Sequence, residues 1–322
     1  MTTTITPAEW LSFIDQEYLR TFVRDGGAAI KFAVPFDEAW RTEVVSGLTR
    51  LAEEGGYTVV TISAAETRIH MADEIFFRTA EQIPWQLLSR RFLAKLAAES
   101  GYAWTDHTDG PLYIQLAERN QVDPQMLLLD MKKAIGNQVF KEPQLSRDFR
   151  LAMTHLCMAE LSGGPDGSTT VRVLTDWLTG RNKAVSAVRP YHIFRKINRT
   201  TARFFFESLV RWLRATAHPG MVLLLDAQRV MTARNPHDLG VFYSKAAVLD
   251  AYEVLRQFID GADNLEGFFM VVVPDVTFLE NHSRGISAYE ALKFRVFDEI
   301  RDRNLVNPMA SLARVAADTA GE

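Results

Sequence analysis

The sequence predicts an α/β protein in which a parallel sheet is flanked by helices, and three observations carry that prediction. Gly220-Met-Val-Leu-Leu-Leu-Asp226 and Phe268-Phe-Met-Val-Val-Val273 are apolar at successive positions, the signature of strands buried on both faces. Ala28 to Ile62 reads strand, helix, strand with short turns between, a βαβ unit whose strands pair in parallel. Each late apolar run is followed by a helical pattern, which supplies cover for the sheet.

Taken in order, Pro7 to Arg24 sets Trp10, Phe13, Ile14, Tyr18 and Phe22 at helical spacing, with Thr6 as cap and Pro7 in the first turn. Asp25-Gly26-Gly27 ends it. Ala28 to Val34 is a strand stopped by Pro35, and Asp37 to Glu54 is a helix with Ala39, Trp40, Val44, Leu48 and Leu51 on one side. After Gly55-Gly56, Tyr57 to Ile62 is the next strand. From Met71 to about Leu161 the pattern is helical, and the loop Ser162 to Gly167 closes it; Val171 to Leu178 fits a short helix or a strand. Thr200 to Ala217 is an amphipathic helix with Ala202, Phe205, Phe206, Leu209 and Leu213 inward. Val241 to Ile259 and Ala288 to Arg303 are helical, and Ser311 to Val315 is a last short strand. The expected organisation is one domain over residues 1–322 with a helical insertion at about 71–165.

Composition narrows the class. A net charge of −4 argues against a chain wrapped wholesale in nucleic acid and permits a local basic patch. The single cysteine, Cys157, excludes an internal disulfide and a multi-cysteine zinc site, and it fits a reducing cytoplasm. No uncharged apolar run reaches the ~18 residues that span a bilayer. The expectation is a cytoplasmic protein with no membrane partner. The histidines show no i, i+4 pair and no neighbouring cysteine pair, so no metal site is expected.

The order of strands matches the P-loop ATPase class with an additional strand between the phosphate-loop strand and the strand ending in a metal-binding Asp. In that layout Asp226 stands where Mg²⁺ is held, and the strand ending at Asp275 stands where a polar sensor of the γ-phosphate lies. Gly26-Gly-Ala-Ala-Ile-Lys-Phe32, Asn198-Arg-Thr-Thr-Ala-Arg203, Gly220 to Asp226, Tyr252-Glu-Val-Leu-Arg-Gln-Phe-Ile-Asp-Gly261 and Tyr289-Glu-Ala-Leu-Lys-Phe-Arg295 follow one another at spacings found in one family. In these segments the chain resembles the ATP-binding proteins of BREX-type phage-defence operons, from about residue 10 to 315 and most strongly from Tyr191 onward. The resemblance implies an AAA-like, P-loop NTPase-like core working with other products of a defence operon, an active ATPase homologue among them.

The departures from that pattern shape the functional expectation. A phosphate loop needs glycines whose N–H groups cradle phosphate, a Lys on the β/γ-phosphates and a Ser or Thr on Mg²⁺. After the first strand this chain has Val34-Pro-Phe-Asp-Glu-Ala-Trp40, with none of the three. Pro35 removes a donor. Asp37 and Glu38 put two carboxylates at the helix start, where they satisfy the helix dipole themselves. Like charges ~4 Å apart repel by about 1 kcal/mol even in water. Ala227, beside Asp226, has no polar side chain to orient a water. Asp226 and Asp275 therefore read as relics of a nucleotide and metal site, Asp226 with a capping role at its strand end.

The expected function is a non-catalytic, ATPase-like scaffold or regulatory subunit without a cofactor. One alternative is an ATP- and Mg²⁺-using subunit whose site a partner completes, with Arg295 and Arg301 as trans-acting arginines. The other is contact with DNA through the basic segment 181–214, where Lys183, Arg189, Arg195, Lys196, Arg199 and Arg203 oppose the single acid Glu207. Against that stands the plainer reading of a solvated helix face or an interface with an acidic partner.

Overall fold

The computed structural model describes residues 4–105, 110–232, 240–297, 307 and 309–316. Its Cα framework separates into two compact units, one made of Met1–Thr79 with His218–Glu322 and the other of Ala80–Ala217.

The first unit holds the sheet. Helix α1 (Pro7–Phe13) starts at a capping box in which Thr6 and Glu9 exchange bonds, and the chain continues as a π-helical stretch over Ile14–Phe22. Strand β1 (Ala28–Pro35), helix α2 (Glu38–Glu54) and strand β2 (Thr58–Ser63) form the βαβ unit, and α3 (Ala72–Glu81) follows. The later part supplies β3 (Met221–Asp226), β4 (Phe268–Val273) and β5 (Leu312–Val315). All pairings are parallel, in the order β2-β3-β4-β1-β5. The additional strand, β4, thus lies between β1 and β3, as the ATPase layout requires.

Both faces of the sheet are covered within this unit. On one face Val222, Leu224, Phe269, Val271 and Ala33 pack with Trp10, Ile14, Leu19, Val44 and Leu48 from α1, the π-helical stretch and α2. The register of paired strands puts Phe32, Leu223, Leu225, Met270 and Val272 on the opposite face. There Phe32 stacks on Phe278 and Phe268 on Phe258, side chains of α12 (Thr277–Glu280) and α11 (Lys245–Asp260). Gly220 makes the close approach of β3 to β4 possible: at φ +147° a Cβ there would stand 1.8 Å from the carbonyl oxygen of Gly267.

The second unit is helical: α4 (Trp85–Glu99), α5 (Leu112–Asn120), α6 (Pro124–Ile135), α7 (Arg147–Ser162), α8 (Gly164–Leu178), α9 (Val185–Val188) and α10 (Ala202–Ala215). Its centre is aromatic, with Phe149 and Trp177 edge-on to Phe205 and Phe92 4.7 Å from Trp212 between ring centroids. The expected end of the helical segment near residue 165 is corrected. Gly163, at φ +61°, breaks α7, but Gly164 opens a new helix with Pro165 in its first turn, so 162–167 is a joint between helices and Val171–Leu178 is helical. The helical region therefore runs to Ala217, and it forms a compact unit of its own.

The expected helix Ala288–Arg303 is shorter in its described part. Helix α13 spans Glu290–Val296, and the remainder of that stretch lies outside the described residues. No helix among the described residues is long and apolar enough to cross a membrane.

Candidate functional site at the sheet edge

The carboxyl ends of β1, β3 and β4 meet where α/β proteins bind their ligands. Strand β1 ends at Pro35 and α2 begins at Glu38, leaving only Phe36 and Asp37 to make the turn. The Phe36 N–H donates to the Val315 carbonyl at 3.1 Å, and Asp37 caps the helix by accepting from the Trp40 N–H at 2.8 Å. The turn is closed by these contacts and by Arg41.

Arg41 lies one turn into α2 with its side chain 8% accessible. Its Nη1 donates to the Val273 carbonyl at 3.0 Å and to Asp226 Oδ1 at 3.3 Å, and its Nη2 donates to the Pro274 carbonyl at 2.9 Å. Nε stands 3.2 Å from Glu38. One guanidinium thereby ties the start of α2 to the ends of β3 and β4. The planar fork matches a ring of carbonyls and carboxylates, which an ammonium could not do from one position.

Asp226 has further partners. Its Oδ1 accepts from the Gln228 N–H at 3.1 Å, and the Ser63 hydroxyl lies 3.5 Å from Oδ2. The capping role expected of Asp226 is present, and the ion pair with Arg41 is added to it. Asp275 accepts at Oδ1 from the Thr277 N–H at 2.7 Å and from the Thr277 hydroxyl, so it braces the turn into α12. Beneath this edge, a cavity lined by Ala227, Val230, Tyr252, Val272 and Pro274 has a volume of about 10 Å³, room for one water-sized sphere.

Lys31 stays inside β1, as its spacing requires. Its Nζ donates to the carbonyls of Met309 (2.5 Å) and Ala310 (3.0 Å) and lies 4.6 Å from the centre of the Tyr18 ring. Burial pushes the Lys31 ammonium down to about 8.

Arg295, on α13, is committed elsewhere. Its Nε and Nη2 donate to Asp260 and its Nη1 to the Ala291 carbonyl, within a cluster that also joins Arg256 to Glu253 and Asp260 and Tyr289 to Glu253. The Arg256 guanidinium beside Glu253 holds that carboxyl down to about 2. Arg301 lies outside the described residues.

In the second unit Lys183, Arg189, Arg195, Lys196, Arg199 and Arg203 are all exposed. Phe194 and Phe204 stand among them at 54% and 55% exposure. Arg203 pairs with Glu207 at 2.9 Å. The Asn198 motif is a turn: Asn198 Oδ1 accepts from the N–H groups of Thr200 and Thr201, which leads the chain into α10. Cys157 is fully buried, and burial pushes its thiol far up, as a core position does.

Arg41 was missed by sequence reasoning, which placed Ala39 and Trp40 on the inward side of α2. The buried stripe is Arg41, Val44, Leu48 and Ala52. That helical spacing, with one basic residue on an apolar stripe, was the available signal.

The five-stranded parallel sheet, its strand order and an Asp at the end of β3 define a P-loop NTPase-like α/β protein. The chain belongs to the BREX system ATP-binding protein BrxC/D family, whose model matches residues 117–319, and is thereby a component of a BREX phage-defence system. The matched span begins downstream of β1, α2 and β2 and takes in β3, β4 and β5. Comparison with curated proteins and with solved structures gave no significant match.

Proposed function

We propose that this chain is a nucleotide-free scaffold or regulatory subunit of a BREX phage-defence assembly, built on an ATPase fold. The Arg41 guanidinium carries the reading. It fills the corner between Asp226 and the ends of β3 and β4, where Mg²⁺ and the terminal phosphates of ATP would need open ligands. The residues present do not fit Mg²⁺-ATP. The Phe36-Asp37 turn lacks the run of free N–H groups that cradles phosphate, and Asp37 at the helix start, with Glu38 and Asp226 beside the one guanidinium, repels a polyanion. The partners are then other products of the defence operon, an active ATPase homologue among them. Arg295 is held by Asp260, which favours the scaffold over a site completed in trans.

Isothermal titration with ATP and Mg²⁺ tests the reading. The expected trace is flat at millimolar ATP, and Mg²⁺-dependent micromolar binding abolished by Asp226→Ala would overturn it. Co-expression with the operon products should give a stable complex without added nucleotide.

A second reading, contact with nucleic acid, is favoured by the exposed Phe194 and Phe204 among exposed basic side chains. A gel shift is its test. Arg195→Glu and Arg199→Glu should weaken a salt-sensitive complex, and indifference to both substitutions would dismiss it.

A further inference from the structure

We infer that the second unit carries a separate pocket for a nucleotide unit, with the phosphate held by Arg147, Arg150 and His192 and the base laid against Phe140. The pocket has a volume of about 430 Å³ and is lined by Phe140, Arg147, Arg150, Leu151 and His192. That lies within the ~300–1,000 Å³ of small-molecule sites and leaves room for a mononucleotide. It goes beyond the scaffold reading and uses none of the sheet-edge residues.

The placement of charge points to an anion. Arg147 and Arg150 fall in the first turn of α7, one helical turn apart and on one side. Cations at a helix start oppose the macrodipole and cost ~0.3–1 kcal/mol each, a cost that an anion bound between them would reverse. Among the described residues no acidic side chain forms an ion pair with Arg147, Arg150 or His192. Asp148, next in the helix, is 3% exposed; burial pushes its carboxyl up, while Arg147 and Arg195 draw it down. It is buried and is not among the residues that line the pocket.

Geometry prepares these groups. Arg150 Nη1 donates to the Glu142 carbonyl at 3.1 Å, which fixes the plane of the guanidinium. Two planar forks suit the several oxygens of a phosphate, whereas a lone carboxylate needs only one. His192 sits at φ +60°, where its N–H donates to the Arg189 carbonyl at 2.9 Å. Phe140, at the end of the π-helical turn Gly136–Phe140, is 52% exposed on the rim, and Leu151 at 8% forms the floor. A flat apolar surface beside a cationic corner matches a base joined to a phosphate.

The test is fluorescence anisotropy of the full chain with a short, labelled, 5′-phosphorylated thymidine strand in EDTA, at about 0.15 M salt to screen distant charges. AMP, inorganic phosphate and an oligoglutamate peptide serve as competitors. The strand should bind, and Arg150→Glu should weaken it at least about tenfold, or about 1.4 kcal/mol. Phe140→Ala should weaken it severalfold, while Lys132→Glu, an equal charge change on α6, should leave it within about twofold. Arg147→Gln is the milder variant should Arg150→Glu fail to fold. Competition by AMP assigns the pocket to a free nucleotide, and competition by the strand alone assigns it to a polymer; either supports the site. Absence of strand and AMP binding overturns it, as does indifference to Arg150→Glu and Arg147→Gln. Phosphate competing as well as AMP with Phe140→Ala silent, or oligoglutamate competing better than either, also overturns it. The readings separate cleanly: Mg²⁺-dependent ATP binding insensitive to Arg150→Glu counts against the scaffold alone.

Discussion

Nη1 of Arg41 stands 3.3 Å from Oδ1 of Asp226, and these residues, far apart in sequence, meet at the carboxyl edge of the sheet. The same nitrogen reaches the Val273 carbonyl, so the first helix after β1 is tied to both central strands. Removing either partner leaves different debris. Arg41→Ala strands two carbonyls and a carboxylate, whereas Asp226→Asn leaves the guanidinium its carbonyl partners.

Arg41→Ala should therefore cost about 2 kcal/mol, since buried acceptors lose their donors, and lower the Tm by roughly 4–8 °C. Asp226→Asn should cost about 1 kcal/mol or less, because its side chain is 38% accessible. Thermal denaturation of both variants and of the double variant checks the order, and an equal cost for the two single changes would contradict it.

Lys31 should make stability depend on alkaline pH. Its folded pKa, lowered by burial to about 8, lies below the unfolded value of 10.5. Between those values the unfolded chain binds the proton and the folded chain does not, so this residue's contribution rises with pH from about 8 to 10.5. Denaturant midpoints of the wild type minus those of Lys31→Met should climb across that window. A flat difference would mean that the bonds to the Met309 and Ala310 carbonyls keep the ammonium charged.

The cluster on α11 and α13 should act at the acid end. Arg256 holds Glu253 down to about 2, and Arg295 holds Asp260 below the usual carboxylate range. Stability from both is present above their unfolded values, near 4.5 and 3.8, and is lost as pH falls toward their folded ones. Asp260→Ala removes the carboxylate that Arg256 and Arg295 share, leaving Arg256 on Glu253 and Arg295 on the Ala291 carbonyl. Amides of α13 should then exchange faster by hydrogen exchange at neutral pH, while those of β3 keep their protection.

Gly220→Ala should be among the most damaging single changes. The added Cβ meets the Gly267 carbonyl at 1.8 Å, and φ +147° is strained for any L side chain. A cost of about 3 kcal/mol or more is expected, seen as loss of soluble protein or a large fall in denaturant midpoint.

The sequence by itself determined the sheet. Runs such as Phe268–Val273 have one stable use, burial on both faces, and glycines and prolines mark where they stop, so strand positions were legible within a residue or so. The family was legible too, in the order and spacing of the segments from Tyr191 onward, and the lack of a phosphate loop after Val34 was plain in the residue types. Tertiary structure alone decided what Asp226 meets at the sheet edge. Arg41 and Asp226 meet only because β3 pairs with β4 and α2 packs across them, a non-local relation that no residue window carries. It likewise decided that the helical segment runs to Ala217, because Gly163 turns a break in the pattern into a joint between two helices. Gathering Phe140, Arg147 and His192 around one pocket is of the same kind: their residue types are local, and their meeting depends on how the helices of that unit pack.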